Sequence, residues 1–294
     1  MKASVRSSSV LRLPRSPAAA GLFILVLAFG AVAQDAKRGE YLSKAAGCLG
    51  CHTEEKKDAV AYAGGRALKT PFGTFYGPNI TPHKEAGIGA WTEADFMRAV
   101  REGRRPDGAN LFPAFPYPSF TKMSDADLKD LWAYLRSLPA NATPSREHDL
   151  GFFFRWRFLV TIWKWLFFTP GPFIADAAKS AVLNRGAYLV QALGHCGECH
   201  TPRNFFGAPK QSRFLGGAKI GEASAPNLTP TRLKKYGDGE VKELLQTAMT
   251  ADGDVLAESM SEVVRNTTSQ LTAPDLDAML AYLRSLPPLP DESK

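Results

Sequence analysis

The chain of 294 residues has four cysteines, and they fall into two C-x-x-C pairs, each followed at once by a histidine. The members are Cys48, Cys51 and His52 in CLGCHT, and Cys196, Cys199 and His200 in CGECHTP. The C-x-x-C-H pattern attaches a haem c, because two thiols at this spacing reach the two vinyl groups of one porphyrin. The adjacent histidine then binds the iron. The spacing therefore predicts a covalently bound haem c at each cluster.

Other uses of paired cysteines fit this pattern less well. A redox dithiol is expected beside a βαβ unit, and the sequence shows none. A zinc site needs four ligands, whereas each cluster offers three. A disulfide in an exported protein usually joins cysteines that are further apart. Two C-x-x-C-H clusters with no cysteine left over thus favour two haem c groups.

The sequence contains an internal repeat. The segment RGEYLSKAAGCLGCHT resembles RGAYLVQALGHCGECHT, and the second cysteine pair follows the first after 148 residues. PNITP at Pro78 recurs as PNLTP at Pro226, and LWAYLRSLP at Leu131 recurs as MLAYLRSLP at Met279, at the same offset. Three separated segments with one offset predict a duplicated domain of roughly 100 residues, which we call the first and second repeats.

Each repeat has the pattern of a helical domain with long loops. Helices are predicted over about 37–46 and 184–192, over 93–102, and after the N-caps Ser124 and Thr272. Gly39 and Gly186 are expected to let the first helix of each repeat approach its last helix. No alternating pattern predicts a strand, so the fold class is mainly α.

The N-terminus resembles an export signal. Four basic residues precede the apolar run AAAGLFILVLAFGAVA, and the segment closes with the small-x-small pattern Ala31-Val32-Ala33. We predict a signal peptide over 1–33, with an uncleaved anchor as the alternative. Its removal would lower the net charge from +7 to +3, so the basic composition predicts no nucleic-acid partner.

These segments, together with PFGTFYGPNITP, GIGAWTEADFMRAVREG and LFPAFPYPSF, resemble a known family. They are similar to the dihaem or trihaem cytochrome c subunits of bacterial membrane-bound alcohol, gluconate and related dehydrogenases. The resemblance implies tandem cytochrome c domains over 34–140 and 177–290, joined by an aromatic linker over 141–176. Because the chain has two motifs, it implies two haem c groups.

The resemblance also implies further site residues. The carbonyl groups of Pro78 and Pro226 would contact the haem-binding histidines and hold their orientation. Such cytochromes usually add a methionine sulfur on the far side of the iron, and Met260 is the candidate for the second haem.

The corresponding position in the first repeat is Phe115, which cannot bind iron. Phe115 follows Gly108 by seven residues, as Met260 follows Gly253. The sixth ligand of the first haem is therefore left open, between an iron without a protein ligand, His83 and Met123. We expect Met123 to be a packing residue, because its counterpart is Leu271.

The segment FFFRWRFLVTIWKWLFF, over 152–168, has nine aromatic residues among its seventeen. It is short for a membrane span and carries three cations, so a transmembrane helix is not predicted. Aromatic residues mixed with cations are typical of a membrane interface or a protein contact. The alternative is a strap that covers the two domains.

Together these features predict an exported dihaem cytochrome that transfers single electrons, in the periplasm or on the periplasmic face of the inner membrane. The resemblance implies a dehydrogenase as donor and a quinone, another cytochrome or an oxidase as acceptor. The chain would be an electron-transfer subunit rather than an enzyme by itself. A haem enzyme acting on a small molecule at the first haem, and a redox or gas sensor, are the alternative functions.

Overall fold

The computed structural model of the protein describes Met1 and residues 34–220, 223–250 and 252–291. The predicted signal peptide lies outside the described residues. Residues from Gln34 onward form one compact unit. The helices are α1 Ala36–Ala45, α2 Cys48–His52, α3 Glu93–Glu102, α4 Tyr117–Phe120, α5 Asp125–Ser137, α6 Arg157–Phe167, α7 Ala181–Tyr188, α8 Gly197–His200, α9 Pro230–Leu233, α10 Asp238–Thr247, α11 Glu258–Asn266 and α12 Ala273–Ser285.

The prediction of a mainly helical chain is confirmed, and the predicted caps are present. Ser124 accepts a hydrogen bond from the Asp127 backbone at the start of α5. Thr272 does the same for Asp275 at the start of α12. Both helices end before a proline, which cannot continue the hydrogen-bond pattern of a helix.

The first and last helices of each repeat lie in close contact, because a glycine stands where they meet. A Cβ placed on Gly39 of α1 would lie 1.9 Å from the Asp130 carbonyl oxygen and 2.8 Å from Cβ of Tyr134 in α5. A Cβ on Gly186 of α7 would lie 1.9 Å from the Ala278 carbonyl oxygen in α12. Any side chain at these two positions would force the helices apart, as predicted from the sequence.

The second repeat has one more residue than the first between its arginine and its cysteine motif, at His195. The chain accommodates the additional residue in a π-helical turn, Leu189–Leu193, which directly follows α7. A single inserted residue in a helix commonly produces such a turn. The insertion places His195, with a φ of 37°, directly before Cys196.

The structure also has short strands, which no alternating pattern in the sequence predicted. β1 (Ala67–Thr70), β2 (Gly73–Tyr76) and β3 (Asp149–Leu150) form an antiparallel sheet in that order. β4 (Ala218–Ile220) pairs with β5 (Ala223–Ala225). These strands have at most four residues, which is too short for an alternating pattern to be recognised.

The main hydrophobic core is continuous across both repeats, since Leu42, Leu128 and Met123 share it with Leu193 and Leu276. A smaller cluster joins β2 and β3 to α6 through Phe75, Phe112, Leu150 and Val160. Helix α6 therefore packs against the first repeat by one side. Among the described residues, no helix combines the length and the apolar character needed to cross a membrane.

Candidate functional site

The first cysteine motif forms the short helix α2, which starts after Gly47 in a left-handed conformation with a φ of 64°. Nδ1 of His52 lies 2.8 Å from the carbonyl oxygen of Pro78. A carbonyl can only accept, so Nδ1 carries the proton and donates it. The lone pair of this imidazole is then on Nε2, which is the nitrogen left for a metal.

The second motif has the same geometry. Cys196 lies directly before α8, and Nδ1 of His200 donates to the carbonyl oxygen of Pro226 at 2.7 Å. Burial lowers the pKa of both histidines, although the proline carbonyls oppose the shift. Both imidazoles are therefore neutral at pH 7, and a neutral imidazole is the form that binds iron.

The segments that contain the histidines and the prolines are held by equivalent contacts in the two repeats. Gly64 donates its N–H to the His52 carbonyl at 2.8 Å, and Gly217 donates to the His200 carbonyl at 2.9 Å. Beyond the prolines, Asn79 donates to the carbonyls of Asn141 and Thr143, each at 2.8 Å. The equivalent residue Asn227 donates to Leu289, also at 2.8 Å. The histidine orientation is thus fixed through the proline by the chain beyond the last helix.

The donor chemistry of each motif fits haem c. All four cysteines lie among the described residues, and their thiols are free. Burial raises the pKa of Cys48 and Cys51 to about 11 and that of Cys196 to about 12, so these groups are neutral thiols at pH 7. A reactive dithiol requires the opposite shift. Two free thiols beside an imidazole with a free Nε2 match the requirements for attaching haem c.

The two motifs lie close to each other. A Cβ placed on Gly47, directly before Cys48, would lie 3.9 Å from Nε2 of His195, directly before Cys196. The ring of His195 also contacts Phe120 of the first repeat, with the ring centroids 5.4 Å apart. Segments that are far apart in sequence therefore meet where the two sites adjoin.

Each motif also lies close to the other repeat, at the segment that follows Phe115 in the first repeat or Met260 in the second. Ser119, after Phe115, donates to Glu198 in the second motif at 2.9 Å. A Cβ placed on Gly50 in the first motif would lie 3.5 Å from Oε1 of Glu262, after Met260. The contacts are reciprocal, as in a two-fold arrangement of the repeats.

Two tyrosine–aspartate pairs extend this symmetry. Tyr41 in α1 donates its hydroxyl hydrogen to Asp275 at the start of α12. Tyr188 in α7 donates to Asp127 at the start of α5. Each aspartate also accepts from an arginine of its own repeat, which is Arg185 for Asp275 and Arg38 for Asp127. Sequence reasoning missed these residues, although each recurs in the second repeat at an offset of 147 or 148 residues.

The structure places Phe115 and Met260 at equivalent backbone positions. The N–H of Phe115 donates to the carbonyl of Phe112 at 3.0 Å, and that of Met260 donates to Ala257 at 2.9 Å. Earlier in the same loops, the bridge between Arg104 and Asn110 corresponds to the bridge between Met249 and Val255. Each residue of the first loop corresponds to the residue 145 positions later in the second loop. This is the offset between Gly108 and Gly253 on which the sequence alignment was based.

The two remaining candidates near the first site are engaged elsewhere. Nδ1 of His83 accepts hydrogen bonds from the backbone N–H groups of Glu85 and Ala86, at 3.3 and 3.1 Å. Met123 is fully buried in the main core, where its counterpart Leu271 is also buried. The half-buried ring of Phe115 instead packs against Phe120, with the centroids 5.6 Å apart, and Met260 is also half-buried at the edge of the core.

Comparison with known proteins identifies the family. The family "Cytochrome c" matches residues 36–139. A protein described as "Diheme cytochrome c-type", from Cereibacter sphaeroides, is 40% identical over 265 residues, which is 88% of this chain and 88% of that protein.

Two dehydrogenase subunits are also similar. The "Fructose dehydrogenase cytochrome subunit" of Gluconobacter japonicus is 42% identical over 256 residues, 85% of this chain and 52% of that subunit. The "Gluconate 2-dehydrogenase cytochrome c subunit" of Pantoea cypripedii is 35% identical over 284 residues, 90% of this chain and 64% of that subunit. The chain thus spans about half to two thirds of these longer subunits. With 40% identity along most of both chains in the first comparison, this protein belongs to the cytochrome c family, whose members bind haem c and transfer electrons.

Proposed function

We propose that the protein is an exported dihaem cytochrome c that carries electrons singly from a dehydrogenase to a respiratory acceptor. The observation that supports this most strongly is the duplicated motif, in which each histidine donates from Nδ1 to a proline carbonyl and keeps Nε2 free. The names of the dehydrogenase subunits support a dehydrogenase as donor. The acceptor would be a quinone, another cytochrome or an oxidase, and the location the periplasm or the periplasmic face of the inner membrane.

In this proposal the two repeats act as tandem haem domains, over 34–140 and 177–290, with 141–176 as the aromatic linker and 1–33 as the signal peptide. Cys48 and Cys51 would hold one haem, and Cys196 and Cys199 the other. Bound haem c would supply an iron that gains and loses one electron.

The protein residues would set the environment of each iron. His52 and His200 would bind the irons through Nε2, and each imidazole is held by its proline carbonyl. Met260 would provide a thioether at the second site, which raises the reduction potential there. Phe115 offers no ligand at the first site, so the two potentials would differ. The short distance between Gly47 and His195, which stand directly before the two cysteine motifs, supports electron exchange between adjacent sites.

A second function is favoured by Phe115. With Phe115 at the position of Met260, and with His83 and Met123 engaged elsewhere, the first site would be able to bind a small exogenous molecule. This supports a haem enzyme, or less directly a redox or gas sensor, as the alternative to pure electron transfer.

Absorption and resonance Raman spectra of the purified protein test the ligand assignment. We expect two haems in different states, with the low-spin methionine signature belonging to one of them. Met260→Ala should abolish that signature, whereas Met249→Ala, at an exposed methionine, should leave it unchanged. Two identical haems with histidine and methionine ligands in the wild type would contradict the assignment.

Carbon monoxide separates the second function from the first. The reduced wild type should bind it at one of its two haems, and Phe115→Met should abolish that binding by restoring a thioether. If the reduced wild type binds no carbon monoxide, the second function is excluded while electron transfer is unaffected.

A further inference from the structure

Helix α6 and its neighbours expose a large apolar surface. Trp165 is 83% exposed, Phe158 is 59% exposed and Phe205 is 93% exposed. We call this the aromatic surface; its members are Phe152, Phe153, Phe154, Trp156, Phe158, Leu159, Ile162, Trp165, Leu166, Phe205 and Phe206. A surface of this kind is rare on a monomeric soluble protein and indicates that something covers it.

The polar side chains of α6 face the protein instead of the solvent. Nζ of Lys164 donates to the Gly103 carbonyl at 2.9 Å and to Oδ1 of Asn110 at 2.8 Å. Arg157 donates to the Asn110 carbonyl at 2.6 Å, and Asn110 donates to Thr161 at 2.7 Å. A surface helix normally turns its apolar stripe inward. Helix α6 instead buries Val160 alone among its residues, and polar contacts hold the rest of its inward side, so most of its apolar side chains face outward.

The aromatic surface is attached to both repeats. Trp163 donates from Nε1 to the Phe206 carbonyl at 2.9 Å, and the rings of Phe167 and Phe206 lie 5.8 Å apart. On the other side, Phe154 packs against Phe72 with the centroids 5.0 Å apart. These contacts hold the exposed rings in one arrangement, which lowers the entropy cost of binding.

The surroundings of the aromatic surface are basic. Residues 151–175 contain three cations, of which Arg155 is exposed, and no acidic residue. Arg104 and Arg105 lie near Lys164 and Arg157. Nearby cations are Arg104, Arg105, Arg155, Arg157, Lys164 and Arg203, and nearby acids include Glu102, Asp107, Asp149 and Glu198. The net positive charge, with Arg155 exposed among the aromatic rings, suits an anionic partner.

The small number of hydrogen-bonding groups on the aromatic surface favours a lipid over a protein as its partner. A protein interface carries about one hydrogen bond per 100–200 Å². The side chains of the aromatic surface, all in the described part of the chain, offer only the indole N–H groups of Trp156 and Trp165. Aromatic and aliphatic side chains with tryptophan and nearby cations are the composition of an interfacial membrane helix.

We propose that the aromatic surface binds the surface of a lipid bilayer that contains anionic lipids. With 11 residues, α6 is about 16 Å long, roughly half the thickness of the hydrocarbon layer, so it would lie in the plane of the interface. Its outward rings would enter the boundary of the acyl chains, and Arg155 would contact headgroups. The proposal does not depend on the ligands or potentials of the haems.

Vesicle flotation of the purified haem-loaded protein tests this. The wild type should float with vesicles of phosphatidylcholine and phosphatidylglycerol, and less with phosphatidylcholine alone or at high salt. The double variant Ile162→Glu/Trp165→Glu should bind at least ten-fold more weakly. Val60→Glu is the matched control, because Val60 is 49% exposed and Ile162 is 51% exposed. Arg155→Gln should weaken binding only to the anionic vesicles.

Visible and circular dichroism spectra would show that each variant is folded. The proposal is overturned if the wild type does not bind vesicles, or if the double variant binds them as well as the wild type does. A double variant that instead dissociates a dimer, or loses a co-purified dehydrogenase subunit, with vesicle binding unchanged, would assign the surface to a protein and also overturn the proposal.

Discussion

Tyr41 donates a hydrogen bond to Asp275, which lies 234 residues later in the other repeat. The pair has a counterpart in Tyr188 and Asp127, so each repeat supplies one tyrosine and one aspartate. The tyrosine hydroxyls also accept from the N-cap residues Thr272 and Ser124, at 3.4 and 3.0 Å. The two contacts fix the first helix of each repeat against the last helix of the other, and so fix the relative position of the cysteine motifs.

Tyr41→Phe and Tyr188→Phe should each destabilise the protein by about 1–2 kcal/mol, because each leaves a charged acceptor with one hydrogen bond fewer. Chemical denaturation followed by circular dichroism measures this loss. Tyr236→Phe, at an exposed tyrosine in the same half as Asp275, is the control and should change little. If Tyr41→Phe and Tyr188→Phe are as stable as Tyr236→Phe, the two tyrosine–aspartate pairs do not contribute to stability.

Asp275 should contribute to stability above acidic pH. Burial raises its pKa, but hydrogen bonds from Arg185 and Tyr41 outweigh burial and hold the pKa below its usual value. Asp275 therefore binds a proton more readily in the unfolded chain than in the folded one. Its contribution to the free energy of unfolding is present above about pH 4, and it is lost as the pH falls through the pKa of Asp275 in the folded protein. Asp275→Asn should flatten the acid limb of stability against pH. Chemical denaturation at a series of pH values measures this, and an acid limb that Asp275→Asn leaves unchanged would contradict the prediction.

Gly39→Ala and Gly186→Ala should destabilise the protein by about 2 kcal/mol or more, because each added methyl would overlap a carbonyl of the opposing helix. Gly239→Ala in α10 is the matched control. A Cβ there meets nothing within 4 Å, and the higher helix propensity of alanine should make it neutral or slightly stabilising. Thermal unfolding of the three variants decides the matter, and a tolerated Gly39→Ala would contradict the close helix contact.

The sequence was sufficient for the elements that depend on local or repeated signals. The caps at Ser124 and Thr272 and the contact points at Gly39 and Gly186 follow from residue type and position. Phe115 could be aligned with Met260 because both loops keep their glycine at the same distance. Each of these signals is contained in a short segment or in its copy.

The remaining features depend on contacts that no local pattern encodes. Strands of four residues or fewer show no period, so β1 to β5 were missed. Tyr41 and Asp275 are each unremarkable in sequence, and only packing of the two repeats brings them together. Lys164 and Arg157 would normally indicate the solvent side of a helix, but the carbonyls around Asn110 turn them inward.

The mass of the denatured polypeptide tests the central claim most directly. The purified protein should be unfolded in acid and organic solvent, so that any non-covalent pigment is removed, and then weighed with its cysteine variants. We expect the mass of the chain plus two haem groups, with one group lost in Cys48→Ala/Cys51→Ala and the other in Cys196→Ala/Cys199→Ala. The mass of the bare polypeptide, with all of the pigment in the solvent, would contradict the account.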